Sequence, residues 1–196
     1  MRTDVPATIG EACAAEMSAA WAEALGRGAV SLPSEGRLVP FALSPDGSSI
    51  FGGMYLPAWS GVVEVTTGGQ VRRIRQFANL AQDQVSMGAF DGRWLIWAES
   101  HSPEDLNDWS LLAWDSARDR VTRLADAPTA GGTTVLGPLI QPAVHDGEAA
   151  WIQADATGTG AVHLFNLATN QDQVLQSGSV DPADGVLAGQ PALAGQ

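Results

Sequence analysis

Lysine is missing altogether: all ten basic residues of this 196-residue chain are arginines. A P-loop lysine and a Schiff-base lysine are therefore excluded within these residues. Cysteine is almost as scarce. Cys13 stands alone, which rules out a disulfide framework and a thiolate metal cage, and its place beside Met17 in a helical pattern reads as a buried, inert thiol. No apolar run approaches the ~18 residues of a membrane span. Glu11 and Glu16 interrupt the one apolar stretch near the N-terminus, so no secretory signal is read there. As it stands the sequence reads as cytoplasmic; an upstream signal, if one were lost, would place it in the envelope or outside the cell. Positive charge is thin throughout and absent from Leu124 to Gln196, where seven Asp or Glu occur. With a net charge of −12, sequence-neutral binding to a phosphate backbone is not expected, because it needs clustered cations. A basic protein or peptide partner suits such a field.

Catalytic patterns are missing too. There is no Gly-x-Ser-x-Gly elbow, no His-Glu-x-x-His, no calcium-loop pattern and no Gly-x-Gly-x-x-Gly after a strand. Gly158-Thr159-Gly160 fits a hairpin loop. His101, His145 and His163 fall on a loop, on a turn at the opposite end of its unit and within a strand, so they do not converge on a metal. No cofactor, no metal and no catalytic residue is expected.

What the chain does contain is a repeat. An apolar strand, a tight Asp-Gly turn and a second apolar strand recur at Ser44–Gly47, Phe90–Gly92 and His145–Gly147. Gln190–Gln196 nearly copies Gln141–Gly147 and would begin a fourth unit that breaks off. Asp46, Asp91 and Asp146 are spaced by 45 and then 55 residues, the longer gap reflecting loops at His101–Asp108 and Pro128–Gly137. Each unit predicts four short strands. In the first these are Leu38–Leu43, Ser49–Leu56, Gly61–Thr66 and Val71–Phe77. The second has Val85–Phe90, Arg93–Glu99, Ser110–Asp115 and Arg120–Ala125. The third has Leu139–Val144, Ala149–Ala154, Ala161–Asn166 and Gln173–Gln176. Gly68-Gly69, Ser116–Asp119 and Ala168–Gln171 read as hairpin turns. Trp94-Leu95-Ile96-Trp97 and Ala149-Ala150-Trp151-Ile152 do not alternate cleanly, as expected of strands covered on both faces. Before the repeat, Thr8–Leu25 predicts one amphipathic helix: Thr8 and Glu11 form a capping box, and Ile9, Cys13, Met17, Trp21 and Leu25 make its apolar stripe.

Repeats of this length with four antiparallel strands point to propeller blades. Ala42-Leu43-Ser44-Pro45-Asp46-Gly47-Ser48-Ser49-Ile50-Phe51 resembles the TolB-like, WD-repeat-like blade, in which an inner strand, Ser-Pro-Asp-Gly and an apolar strand follow one another. Phe90–Trp97 and His145-Asp146-Gly147 with Trp151 are similar but weaker. The resemblance covers Leu38 to Gln196. The Gly-His and Trp-Asp signatures of strict WD repeats are not in their places, Trp114-Asp115 being the single echo. The expected fold is all-β: an incomplete β-propeller of about three four-stranded antiparallel blades plus the first strand of a fourth, with one N-terminal α-helix. Residues 1–36 form the helix and linker, 37–78, 79–127 and 128–178 the blades, and 179–196 the start of the fourth. Open outer faces of the end blades would promote self-association.

Three arginines on one predicted edge strand, Arg72, Arg73 and Arg75, suit an edge guarded by charge, with an anion site as the sharper alternative. A second candidate is the loop His101–Trp109, which holds His101, Glu104, Asp105, Asp108 and Trp109. Trp59, in the matching loop of the first unit, should lie at the same end. There an aromatic surface with carboxylates would select basic groups; the plainer alternative is a solvated acidic loop with Trp109 tucked against its sheet. The resemblance implies a non-catalytic protein- or ligand-binding module, part of a larger propeller. Two alternatives stay open: a substrate-gating propeller domain of a serine peptidase or polysaccharide-active enzyme, and an envelope sensor domain.

Overall fold

The computed structural model describes residues 36–103, 107–130, 132–134, 140–155, 159–179 and 193. The expected helix over Thr8–Leu25 and the strand expected to open a fourth unit lie outside the described residues, as do Glu104 and Asp105.

Three four-stranded antiparallel sheets follow one another, each a meander with its strands in chain order. The first is built of β1 (Arg37–Leu43), β2 (Ser49–Leu56), β3 (Trp59–Thr66) and β4 (Val71–Gln76). The second holds β5 (Gln84–Phe90), β6 (Trp94–Ser100), β7 (Trp109–Asp115) and β8 (Arg120–Asp126). A two-strand hairpin, β9 (Thr129–Ala130) and β10 (Thr133–Thr134), precedes the third sheet, which comprises β11 (Ala143–His145), β12 (Glu148–Ala154), β13 (Thr159–Asn166) and β14 (Gln171–Ser179).

The Asp-Gly turns do what their residue types allow. His145 pairs directly with Glu148, and the two residues between them, Asp146 and Gly147, take φ of 49° and 78°. That is the mirror-image turn whose twist matches the flanking strands. Asp91 folds back on its own turn: its Oδ1 accepts the backbone N–H groups of Arg93 at 2.9 Å and Trp94 at 2.7 Å. Its Oδ2 accepts the N–H of Gly147, 3.1 Å away in the third sheet.

Every residue of β6 and β7 is buried. Period-two geometry explains how. Trp94, Ile96 and Ala98 of β6 pack with Trp109 and Leu111 against Ala149, Trp151 and Phe165 of the third sheet. Their neighbours Leu95 and Trp97 point the other way, joining Leu112 and Trp114 against Phe51, Val62 and Phe77. A sheet that is apolar on both faces needs a neighbour on each side, and here it has them.

Several features were not expected. Where a strand over Leu139–Val144 was expected, β11 covers only Ala143–His145, following Pro142, which has no N–H to give a ladder, and the β9–β10 hairpin falls within the expected loop Pro128–Gly137. The third sheet's outer strand runs over Gln171–Ser179, more than twice the predicted Gln173–Gln176. Polar, Gly-containing ends of low β propensity are carried by pairing with β13 as far as Thr159–Ser179. Each outer strand also holds one extra residue against its neighbour: Ile74, Leu124 and Leu175. Ile74 packs into the junction of the first two sheets and Leu124 into that of the second and third.

Candidate functional site

The β2–β3 and β6–β7 connections lie at the same end of their sheets, opposite the Asp-Gly turns, because each sheet is a simple meander. At this end of the second sheet the chain gathers its buried charge. Asn79–Asp83 forms a self-closed turn before β5, in which Asp83 Oδ2 accepts the Asn79 N–H at 2.9 Å and the Asp83 N–H donates to the Asn79 carbonyl at 2.9 Å. The turn leaves Asp83 buried, with Oδ1 3.2 Å from His101 Nδ1. His101 Nε2 lies 2.9 Å from Ser110 Oγ, and Ser110 donates its proton to Asp126 Oδ1 at 2.8 Å. One chain of contacts thus links the turn before β5, the end of β6, the start of β7 and the end of β8.

Asp83, His101 and Ser110 stand in the order acid, imidazole, hydroxyl. A nucleophilic serine directs its proton to the imidazole and meets substrate with its oxygen. Ser110 is 2% exposed, and its Oγ lies within 2.8 Å of Asp126 Oδ1 on the side away from the imidazole contact, so its oxygen is not presented to a substrate. Its position makes it a strut between strands.

Beside this chain sits Glu99, fully buried. Arg75 of β4 grips it with both arms: Nε to Oε2 at 2.9 Å and an η nitrogen to Oε1 at 3.0 Å. Trp97 Nε1 adds a longer bond of 3.4 Å. A buried carboxylate is tolerated only when paired and hydrogen-bonded, and the forked guanidinium does both. The Glu99 bond raises the Arg75 pKa further. Ligand atoms of Asp83, Glu99 and His101 lie within 4.8 Å of one another, as metal ligands would. Both Glu99 oxygens already receive Arg75, so the guanidinium holds the place of a cation.

The expected site residues divide. His101 belongs to this buried network. Asp108 is exposed, and its carbonyl accepts the His101 N–H at 2.8 Å, closing the base of the loop. Trp109 and Trp59 are not surface aromatics: they are 6% and 7% exposed, as the first residues of β7 and β3. Trp109 packs in the core toward the third sheet, and the Arg73 guanidinium lies 4.7 Å above the Trp59 ring. The arginines of β4 are engaged within the chain. Arg72 reaches Asp119 at 2.8 Å and stacks 4.8 Å over Trp114, Arg75 holds Glu99, and Arg73 covers Trp59. Asp83 was missed, since a lone acid in a polar loop carries no motif. Its partner His101 lies 18 residues away in sequence.

Three successive four-stranded antiparallel meanders, the middle one buried on both faces, are the arrangement of an incomplete β-propeller. Among solved structures the chain is similar to a TolB-type protein from Agrobacterium tumefaciens, at 16% identity and a TM-score of 0.46, over 75% of this chain and 50% of that one. It is similar to TolB from Acinetobacter baumannii at 15% identity and a TM-score of 0.45, over 77% of this chain and 35% of that one. A puromycin-hydrolyzing peptidase from Mycobacterium tuberculosis matches at 15% identity and a TM-score of 0.49, over 75% of this chain and 24% of that one. The chain therefore spans half the length of the first and less of the others. At such identities the likeness is one of fold, and fold does not fix activity. No family model matches the chain, and no curated protein does.

Proposed function

We propose that this chain is a non-catalytic propeller module that binds a basic protein or peptide segment. The observation that carries this is where its positive charge goes. Arg72, Arg75, Arg93, Arg118 and Arg123 all sit in ion pairs with carboxylates of the chain itself, while the whole carries a net charge of −12. Those five arginines present no uncompensated charge to a basic partner, and the negative field of the whole steers one in. The loop after β6, with exposed Asp108 and with Glu104 and Asp105 in its sequence, is the recognition element of this reading.

Fluorescence anisotropy with labelled cationic, neutral and anionic peptides tests it. The cationic peptide should bind, weakening at least tenfold between about 20 and about 200 mM salt as screening sets in. The double variant D105N/D108N should weaken binding further at low salt. Equal binding of all three peptides, or an unchanged affinity in the variant, would refute the proposal.

A further inference from the structure

The three outer strands differ in what guards them. An outer strand presents unpaired backbone groups along one side, and charge, especially cationic, is a common defence against pairing with another chain. β4 carries Arg72, Arg73 and Arg75, and β8 carries Arg120 and Arg123. β14 has no arginine, lysine or proline, and a single charge, Asp172. At nine residues it is also the longest strand among the described residues. The extra residue that bends each outer strand is common to all three, so it does not separate β14 from the others.

Register against the inner strands makes the contrast position by position. Arg72, Thr122 and Gln173 are equivalent, and so are Arg75, Ala125 and Gln176. The bulged residue that is partly buried as Ile74 and Leu124 is 53% exposed as Leu175, and Val174 beside it is 51% exposed. The least defended strand therefore shows two adjacent large aliphatic side chains to solvent.

We infer that β14 is a pairing edge for a second copy of this chain, which adds its own β14 in antiparallel register. The sequence of the strand is self-complementary about a two-fold axis between Val174 and Leu175. Across that axis Val174 faces Leu175 of the second copy, Gln173 faces Gln176, and Asp172 faces Ser177; the Leu175 bulges of the two copies meet at the axis, so each strand carries the same extra residue there and the flanking register is kept. Aliphatic meets aliphatic, amide meets amide, and the one carboxylate meets a hydroxyl. No like charges are opposed, which is what cross-strand pairs require. A two-fold, isologous contact of this kind closes on itself and stops at a dimer. The edge lies on the outside of the third sheet, away from its junction with the second, so the pairing does not depend on the peptide-binding reading above.

Sedimentation equilibrium of the full chain tests it. Two copies of net charge −12 repel, so dimerisation should strengthen as salt is raised from about 20 to about 300 mM, opposite in sign to the cationic-peptide binding. L175K should raise the dimer dissociation constant at least about tenfold while leaving the thermal unfolding midpoint of the dilute monomer unchanged. V174K supplies a second variant should L175K misfold. A chain that stays monomeric at all concentrations and salts overturns the inference. So does a dimer indifferent to both lysine variants. If the β14 amides are protected from hydrogen exchange where the chain is monomeric, the edge is covered from within the same chain, and the inference fails.

Discussion

The junction of the first and second sheets and that of the second and third are built from equivalent strands but held differently. At the first, apolar residues such as Phe51 and Trp97 share the contact with Arg75–Glu99 and Arg72–Asp119 pairs. At the second, Trp94, Trp109 and Trp151 dominate. Polar links across it include Gly147 N–H to Asp91 at 3.1 Å and the Gln153 amide to the Asp126 carbonyl at 3.4 Å. The positions of Arg72 and Arg75 in β4 are Thr122 and Ala125 in β8. Where Trp109 and Trp151 fill the space, a small residue fits opposite; where the facing sheet offers Glu99 and Asp119, an arginine reaches across. One architecture thus accepts two chemistries, provided each buries area and leaves no polar group unpaired. Among the described residues none of the buried side-chain nitrogen or oxygen atoms lacks a partner.

The largest break should come at the aromatic junction. Trp151 is 1% exposed, and Trp151→Ala should cost about 4 kcal/mol, as deletion of a buried indole typically does. Urea unfolding measures it; a cost under about 1 kcal/mol would mean that the junction is not held by aromatic area. The charged junction should break slightly less and in a manner that can be repaired. Arg75→Ala strands Glu99 in the interior and should cost about 3 kcal/mol. The double variant R75M/E99M should recover most of that, because apolar residues of similar volume avoid the desolvation penalty. If the double variant is as unstable as the single one, geometry peculiar to the ion pair is what the junction needs.

The smallest effect sharpens the contrast between turns. Asp91 reaches the next sheet, whereas the bonds of Asp46 stay within its own turn. The Ser44 hydroxyl first, then the Ser48 N–H and hydroxyl, lower the Asp46 pKa to about 2. Because the folded value lies below the unfolded one, its stabilising contribution is complete above the ordinary carboxylate pKa. It is lost as pH falls toward 2. Carbon-13 NMR of the carboxyl should show a midpoint near 2, moving upward in S44A. An Asp46 midpoint unaffected by S44A would remove the hydroxyl as the cause.

Much of this fold was legible because it follows from local rules. Asp-Gly pairs announce turns that need positive φ, and unbroken apolar strands announce sheets covered on two sides. Most strand ends were legible to within two residues; the exceptions are β11, which starts only at Ala143, after Pro142, and the far end of β14, where tertiary pairing overrides the weak propensity of Gln, Asp, Ser and Gly. The candidate site was only half readable. Its loop and its histidine were visible, and Trp109 lies inward as the plainer alternative had it; Trp59 also begins a strand and turns inward, which its place in an expected loop does not announce. The Asp83–His101–Ser110–Asp126 chain joins residues far apart in sequence and depends on register between strands. Nor do the bulges at Ile74, Leu124 and Leu175 have a signature, because any residue type can be the extra one.

Trp94, Trp97, Trp109 and Trp114 all belong to the middle sheet, and none is more than 7% exposed. The intrinsic ultraviolet emission of this chain is therefore weighted toward one sheet, through indoles shielded from solvent on both its faces. A red shift on denaturation would mark the moment its two neighbours part from it.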